Sequence, residues 1–266
     1  MPHKLCHHGN EIVRYHFEQI GNGDVPLVML HGFTGSTNNW QHLVPHLSND
    51  FRITLIDIIG HGRTAFPANF ERYQMQYVAE DILSIVDMPI NLLGYSMGGR
   101  LALYIATQYP EAIKKLILES ASPGLPTEEE RNTRRDSDNG LADKIEANGI
   151  KWFADFWATL GLWATQTEAQ KAQLTQGRLQ NNPTGLANSL RGMGTGMMPS
   201  LWEQLEDLTI PIQLIAGQHD TKYANINQQM LEQLPNAQLK IMNNAGHTVH
   251  LEQSEEYIKI LKHFLL

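Results

Sequence analysis

Gly94-Tyr95-Ser96-Met97-Gly98 follows the apolar run Ile90-Asn91-Leu92-Leu93 and opens an amphipathic run, Gly98 to Tyr109, that Pro110 stops. A serine between glycines at a strand-to-helix junction sits on a sharp turn that lifts its hydroxyl out of the chain. The free N–H groups and positive dipole end of the helix beginning there point at the same place. An incidental serine in a glycine-rich turn is the plain alternative. The strand before it and the helix after it weigh against that.

The same alternation extends outward. Leu27-Val28-Met29-Leu30 ends at His31-Gly32, Ile53-Thr54-Leu55-Ile56 at Asp57, and Leu116-Ile117-Leu118 at Glu119. Short apolar runs closed by glycine or polar residues read as strands buried on both faces of a parallel sheet. Tyr77 to Val86 reads as a helix between two of them. Past Ser120 the pattern changes. Residues 121–205 contain no convincing strand, are rich in Gln, Asn, Glu and Arg, and carry aromatic anchors at Trp152, Phe153, Phe156, Trp157 and Trp163. Strand character returns at Ile210–Ile215 and Gln238–Met242, and Ser254 to Phe264 reads as a docked helix. The expected architecture is an α/β core at 1–120 and 206–266, interrupted by a helical cap at 121–205.

Composition narrows the function. Of 266 residues, 42 % are hydrophobic and 18 % charged, too apolar for a disordered chain. The net charge of −8, without any long Lys/Arg run, argues against nucleic acid. The single cysteine, Cys6, allows neither an internal disulfide nor a cysteine-based metal cage. No stretch reaches the 18 or so apolar residues of a membrane helix, and Met1–His8 is too polar for a secretory signal. A soluble protein of the cytoplasm, monomeric or weakly self-associating, is expected.

A serine at such a turn needs a base, and the base needs an orienting carboxylate. His247 follows the last expected strand in Asn243-Asn244-Ala245-Gly246-His247, and Asp220 lies just past the preceding one. Functional groups gather at these strand ends in open α/β sheets. Ser96, Asp220 and His247 also stand in the chain order that accompanies this turn. Asp57, on the loop Asp57-Ile58-Ile59-Gly60-His61-Gly62-Arg63-Thr64, is the alternative acid. The turn Leu30-His31-Gly32-Phe33-Thr34 aims the Phe33 N–H where the Met97 N–H points, an expected oxyanion site. Arg100 lies one helical turn after Ser96. A cation placed there wastes desolvation energy unless it meets an anion. Arg131, Arg134, Arg135, Arg178 and Arg191 add further cations to the cap, most simply read as a solvated helical surface.

These motifs, at 31–36, 57–64, 94–100, 217–220 and 246–247, resemble the α/β-hydrolase superfamily over essentially the whole chain. Within it, four further features are similar to the MenH-like 2-succinyl-6-hydroxy-2,4-cyclohexadiene-1-carboxylate synthases of menaquinone biosynthesis. They are the elbow Gly94–Arg100, the segment Glu119–Leu125, the pair Arg134 and Ser137-Asp138, and Gly192–Gly196 with Ser200-Leu201-Trp202. The resemblance implies a lyase with a hydrolase fold that eliminates pyruvate from a tricarboxylic cyclohexene, without metal or cofactor. It implies Tyr95, Ser96, Arg100, Arg134, Trp157, Arg178, Asp220 and His247 as site positions, with Arg100, Arg134 and Arg178 converging on a pocket between core and cap. Ile58-Ile59 and Thr64 depart from relatives that more often have proline and serine there. Two rival functions remain open: a carboxylesterase or C–C bond hydrolase with the same three residues, and a non-catalytic receptor for a small anion.

Overall fold

The structure, a computed structural model, describes residues 3–9 and 11–266. In chain order the strands are β1 (His3–His8), β2 (Glu11–Ile20), β3 (Val25–Leu30), β4 (Phe51–Ile56), β5 (Ile90–Tyr95), β6 (Ile113–Glu119), β7 (Ile212–Gly217) and β8 (Ala237–Met242). They form one sheet in the order β1-β2-β4-β3-β5-β6-β7-β8. The ladders β4-β3-β5-β6-β7-β8 are parallel, while β1 pairs with β2, and β2 with β4, antiparallel.

Strand parity assigns the two faces. Val28, Leu30, Leu92, Leu116, Leu118 and Leu214 point into one apolar layer with Val78, Ile82, Leu101 and Ile105. Those last four residues belong to α2 (Met75–Ile85) and α3 (Met97–Gln108). Leu27, Met29, Leu93, Ile117 and Ile215 point the other way, onto Trp40, Leu43 and Leu47 and onto Tyr257, Leu261 and Leu265. Leu47 ends the short α1 (Val44–Leu47), and the last three lie on the C-terminal helix. Both faces of the central strands are dry, which is why their sequences read as unbroken apolar runs.

Two features depart from the sequence reading. The antiparallel hairpin β1–β2 was not expected, because β1 is mostly exposed and β2 alternates, burying Val13, Tyr15 and Phe17. The strand expected from Ile210 begins at Ile212, since Pro211 has no N–H for the ladder and contributes only its carbonyl, to Leu116 N–H.

Between β6 and β7 the chain is helical: α4 (Glu128–Ala158), α5 (Glu168–Leu179) and α6 (Pro183–Met193). Thr127 with Glu130, and Thr167 with Gln170, close capping boxes on α4 and α5. Asn182 caps α6, where Pro183 fits the first turn. Gly149, at φ 80°, breaks α4. This cap has a small core of its own, Ala142, Ile145, Phe153, Leu186, Ala187 and Leu190. It meets the main body at a backbone-to-backbone contact. A Cβ on Gly60 would collide with the Gly185 carbonyl, and one on Gly185 with the Gly60 carbonyl. Beyond β7 come α7 (Thr221–Gln233), β8, the short α8 (Val249–Glu252) and α9 (Ser254–Leu265). Among the described residues no helix is long and apolar enough to cross a membrane.

Candidate active site

The parallel register brings the C-terminal ends of β3, β5, β7 and β8 to one edge, and the chain leaves each of them into a loop with a polar residue. Ser96 follows β5 at φ 52°, ψ −109°, outside the ordinary regions for an L residue. The strain is held in place. Ser96 N–H donates to the Glu119 carbonyl at 2.8 Å, and the Arg100 N–H donates to the Ser96 carbonyl at 2.9 Å. A side chain on Gly94 would collide with Gly98 backbone, and one on Gly98 with the carbonyls of Leu30 and His31. The glycines of the motif thus let α3 pack flush against β5 and β3.

His247 Nε2 lies 3.0 Å from Ser96 Oγ, and its Nδ1 lies 2.6 Å from Asp220 Oδ2. Ser96 is half-buried, whereas His247 and Asp220 are buried. An Nδ1–H donated to Asp220 leaves Nε2 as an acceptor toward the serine hydroxyl, the tautomer a base needs. The alternative acid, Asp57, is occupied elsewhere. Its two carboxylate oxygens accept the N–H groups of Thr37 at 2.6 Å and Arg63 at 2.8 Å, so it clasps two loops.

Two further carboxylates hold the His247 loop; Glu252 did not stand out in the sequence, and Glu119 did so only as the start of the segment Glu119–Leu125, with no role attached. Glu252 accepts the N–H of Gly246 at 2.8 Å and of Thr248 at 3.1 Å, bracketing His247 on both sides. Glu119, whose carbonyl holds Ser96, accepts the N–H of His250 at 3.0 Å and its ring Nδ1 at 2.9 Å. Serine turn and histidine loop therefore share an anchor.

His31 opens the turn after β3. Its Nδ1 donates to the Gly32 carbonyl at 2.8 Å and its Nε2 accepts the Ile58 N–H at 3.0 Å. Both ring nitrogens are committed to the neutral form, and burial pushes its pKa down to about 4. Gly32 lies against Tyr95 and Ser96, where a Cβ would stand 2.6 Å from the tyrosine ring and 3.4 Å from Ser96 Cβ. The turn carrying Phe33 thus abuts the serine, and Met97 opens α3 on its other side. The Phe33 ring meets Trp157 at 5.5 Å and Phe153 at 6.0 Å, edge to face, which joins the turn to the cap. Trp157 belongs to this aromatic contact, with its indole Nε1 buried and unpartnered among the described residues.

The other expected residues separate into two groups. Arg178 lines a cavity of about 200 Å³ together with Phe33, Tyr95, Trp163 and Thr248. It is 3 % exposed, its guanidinium lies 4.8 Å from the Trp163 ring centroid, and its Nε has no hydrogen-bond partner among the described residues. Burial pushes its pKa down to about 10. Arg100 is buried too, donates to the Met193 carbonyl at 3.2 Å, and is likewise pushed down to about 10 by burial. Arg134 keeps 40 % of its side chain exposed and donates to Asp138 at 2.8 Å. Arg100 and Arg134 do not line the cavity of Arg178. Both act electrostatically on Tyr223, whose ring packs 4.9 Å from that of His247. Trp163 and Tyr95 complete the aromatic surround of His247, at 6.1 and 5.4 Å. Tyr223 and Thr248 were not singled out from the sequence, although Tyr223 is three residues from Asp220 and Thr248 follows His247 directly, and Trp163 stood out only as an aromatic anchor of the cap.

A family model described as the alpha/beta hydrolase fold matches residues 25–254. The chain belongs to the α/β-hydrolase family. Within that family its relatives narrow further. A Bacillus subtilis (strain 168) protein provisionally named a 2-succinyl-6-hydroxy-2,4-cyclohexadiene-1-carboxylate synthase is 43 % identical, over 95 % of each chain. The synthase of that name from Enterobacter sp. (strain 638) is 31 % identical over 85 % of this chain and 86 % of its own. Among solved structures, MenH from S. aureus superposes with a TM-score of 0.89 at 33 % identity, covering 94 % of this chain and 97 % of that one. A Thermogutta terrifontis esterase, at 22 % identity and a TM-score of 0.87, shares the hydrolase fold.

Proposed function

We propose that this α/β-hydrolase-family chain is a lyase of menaquinone biosynthesis. Its substrate would be 2-succinyl-5-enolpyruvyl-6-hydroxy-3-cyclohexene-1-carboxylate, and its products pyruvate and 2-succinyl-6-hydroxy-2,4-cyclohexadiene-1-carboxylate. The observation that carries this reading is Arg178: a buried, incompletely bonded guanidinium facing a cavity beside the serine turn. Such a cation is costly unless the ligand is an anion. The relatives named as synthases act in the same direction.

In this reading His247 takes the Ser96 proton, and the serine oxygen removes an acidic ring proton. The C–H electron pair moves into the ring, the double bonds shift to the conjugated diene, and the C–O bond to the enolpyruvyl group breaks. The departing enolate receives a proton, which the imidazolium holds, and tautomerises to pyruvate. Asp220 fixes the imidazole tautomer and stabilises its cation. The N–H groups of Phe33 and Met97 receive developing negative charge on oxygen. Arg100 and Arg178 bind carboxylates, for which the guanidinium fork is suited, and Arg134, part-exposed and paired with Asp138, adds only a weak outer attraction.

The test mixes purified protein with the enolpyruvyl substrate and follows pyruvate release together with diene absorbance. Stoichiometric release, with slow turnover of neutral p-nitrophenyl esters, is the expected result. Fast ester hydrolysis without pyruvate would replace the lyase by a carboxylesterase using the same three residues. Ligand binding without any turnover would favour the receptor.

A further inference from the structure

Tyr95, Thr248 and Gln166 form a buried hydrogen-bonded chain that runs from the serine turn into the cap. Gln166 Nε2 donates to Thr248 Oγ1 at 3.1 Å, and Thr248 Oγ1 lies 3.1 Å from Tyr95 Oη. All three residues are more than nine-tenths buried. They come from three places: the end of β5, the residue after His247, and the turn that precedes α5. Among the described residues Tyr95 Oη has no second hydrogen-bond partner, and Tyr95 and Thr248 both line the cavity of Arg178.

The chemistry of the three groups fixes the first direction, while in the Tyr95–Thr248 pair either hydroxyl can donate. An amide nitrogen only donates, so Thr248 Oγ1 accepts from Gln166. A threonine hydroxyl carries one proton and accepts as well. With one lone pair engaged by the amide, that proton has Tyr95 Oη within reach. We infer that Gln166 and Thr248 are positioning residues: they fill the acceptor side of the Tyr95 hydroxyl and turn its proton into the cavity. Tyr95 then serves as a fixed donor to an anionic oxygen of the substrate, beside Arg178. This inference rests on the lyase reading of the same site.

The chain also makes the site sensitive to the seating of the cap. Gln166 lies in the segment that places Trp163 on His247, and Gln170 one turn later donates to the Leu251 carbonyl at 3.0 Å. With the cap displaced, Thr248 loses its amide donor, nothing then fixes the rotation of its hydroxyl, and it can accept from Tyr95 instead. The tyrosine proton would then point away from substrate. A competent donor is thus present only when the cap is docked.

The experiment compares kcat and KM for pyruvate release in the wild type, Tyr95→Phe, Thr248→Val, Thr248→Ser, Gln166→Glu and the Tyr95→Phe/Thr248→Val double variant. Loss of a hydrogen bond to a charged group should lower kcat/KM by about 10- to 100-fold in Tyr95→Phe. Thr248→Val should lose a similar factor, and the double variant little more. Thr248→Ser should restore activity to within about threefold, which a packing role of the threonine methyl would not permit. Gln166→Glu places an acceptor where the donor stood, and should reproduce the Thr248→Val loss without unfolding the protein, as checked by thermal melting. Near-wild-type activity of Thr248→Val and Gln166→Glu beside an impaired Tyr95→Phe would overturn the relay and leave the lyase reading intact. Additive losses in the double variant would do the same. A wild-type protein that releases no pyruvate would overturn both.

Discussion

The two walls of the site are built on different principles. The core wall consists of strand ends whose site-bearing loops are held by bonds within the chain, although His61 Nε2 and Ser120 Oγ nearby are buried without partners among the described residues. Asp57 is held by two backbone N–H groups, His31 by a carbonyl and an N–H, and the His247 loop by Glu252 and Glu119. The cap wall consists of helices and aromatic rings, and leaves polar atoms open: Arg178 Nε, Trp157 Nε1 and Gln166 Oε1 are buried without partners among the described residues. Saturation fixes geometry, which a proton-transfer centre needs. Of the open atoms, Arg178 Nε is a donor on a cavity-lining residue, and a ligand that supplies an acceptor relieves the cost of its burial. In the proposed reaction, chemistry belongs to the first wall and selection to the second.

That division is open to attack from both sides. The largest effect falls on the core wall: Ser96→Ala or His247→Ala should reduce kcat on the order of 10⁴-fold or more, with the double variant little worse, because members of one unit are not additive. Single-turnover pyruvate release would measure it, and a Ser96→Ala protein with normal turnover would end the comparison. On the cap wall, Arg178→Ala should act mainly through KM. Truncating one partner of a buried charge pair costs about 2–5 kcal/mol, roughly 30- to 5,000-fold in kcat/KM. Arg100→Ala should fall in the same range. A drop in kcat alone for Arg178→Ala would blur the two walls.

The core wall should also carry an acid sensitivity of stability. The folded His31 pKa is about 4 against an ordinary 6.5, so between those values the unfolded chain holds a proton that the folded chain does not. Stability is fully present above pH 6.5 and is lost as pH falls toward 4, on the order of 3 kcal/mol from this residue. Chemical denaturation across that range should show the slope, and His31→Gln should reduce it, leaving the share of His61, which burial pushes down to about 3. Smaller still, Glu252→Gln should lower kcat about tenfold with KM unchanged, since one of the two backbone N–H groups flanking His247 then faces an amide nitrogen. The smallest effect is expected for Arg134→Ala: its guanidinium is part-exposed and already paired with Asp138, so the change costs about 1 kcal/mol.

The sequence was legible where a function is written into neighbouring residues. Gly94 to Gly98 specifies its turn through small residues that the packing of α3 demands, and Asp220 and His247 are marked by following apolar strands. Residues that act through distant partners left no such mark. Thr248 meets Gln166 across 82 positions, and His250 meets Glu119 across 131. Nothing local distinguishes these from ordinary polar residues. The hairpin β1–β2 went unseen for a related reason: an edge strand with one wet face lacks the apolar run that betrays its buried neighbours. Arg134 and Arg178 read alike as cap arginines, and only packing separates the half-exposed one from the buried one.

The mutual contact of Gly60 and Gly185 has a consequence for inheritance. Each residue forbids a side chain on the other, so the loop after β4 and the start of α6 cannot drift independently. In a library randomised at both positions, survivors should be glycine at both, and single replacements should be rescued by no partner. A cap borrowed from a relative would graft onto this body only if it arrives with its glycine in register. The junction therefore behaves as a compatibility lock in recombination, filtering which caps this core can exchange.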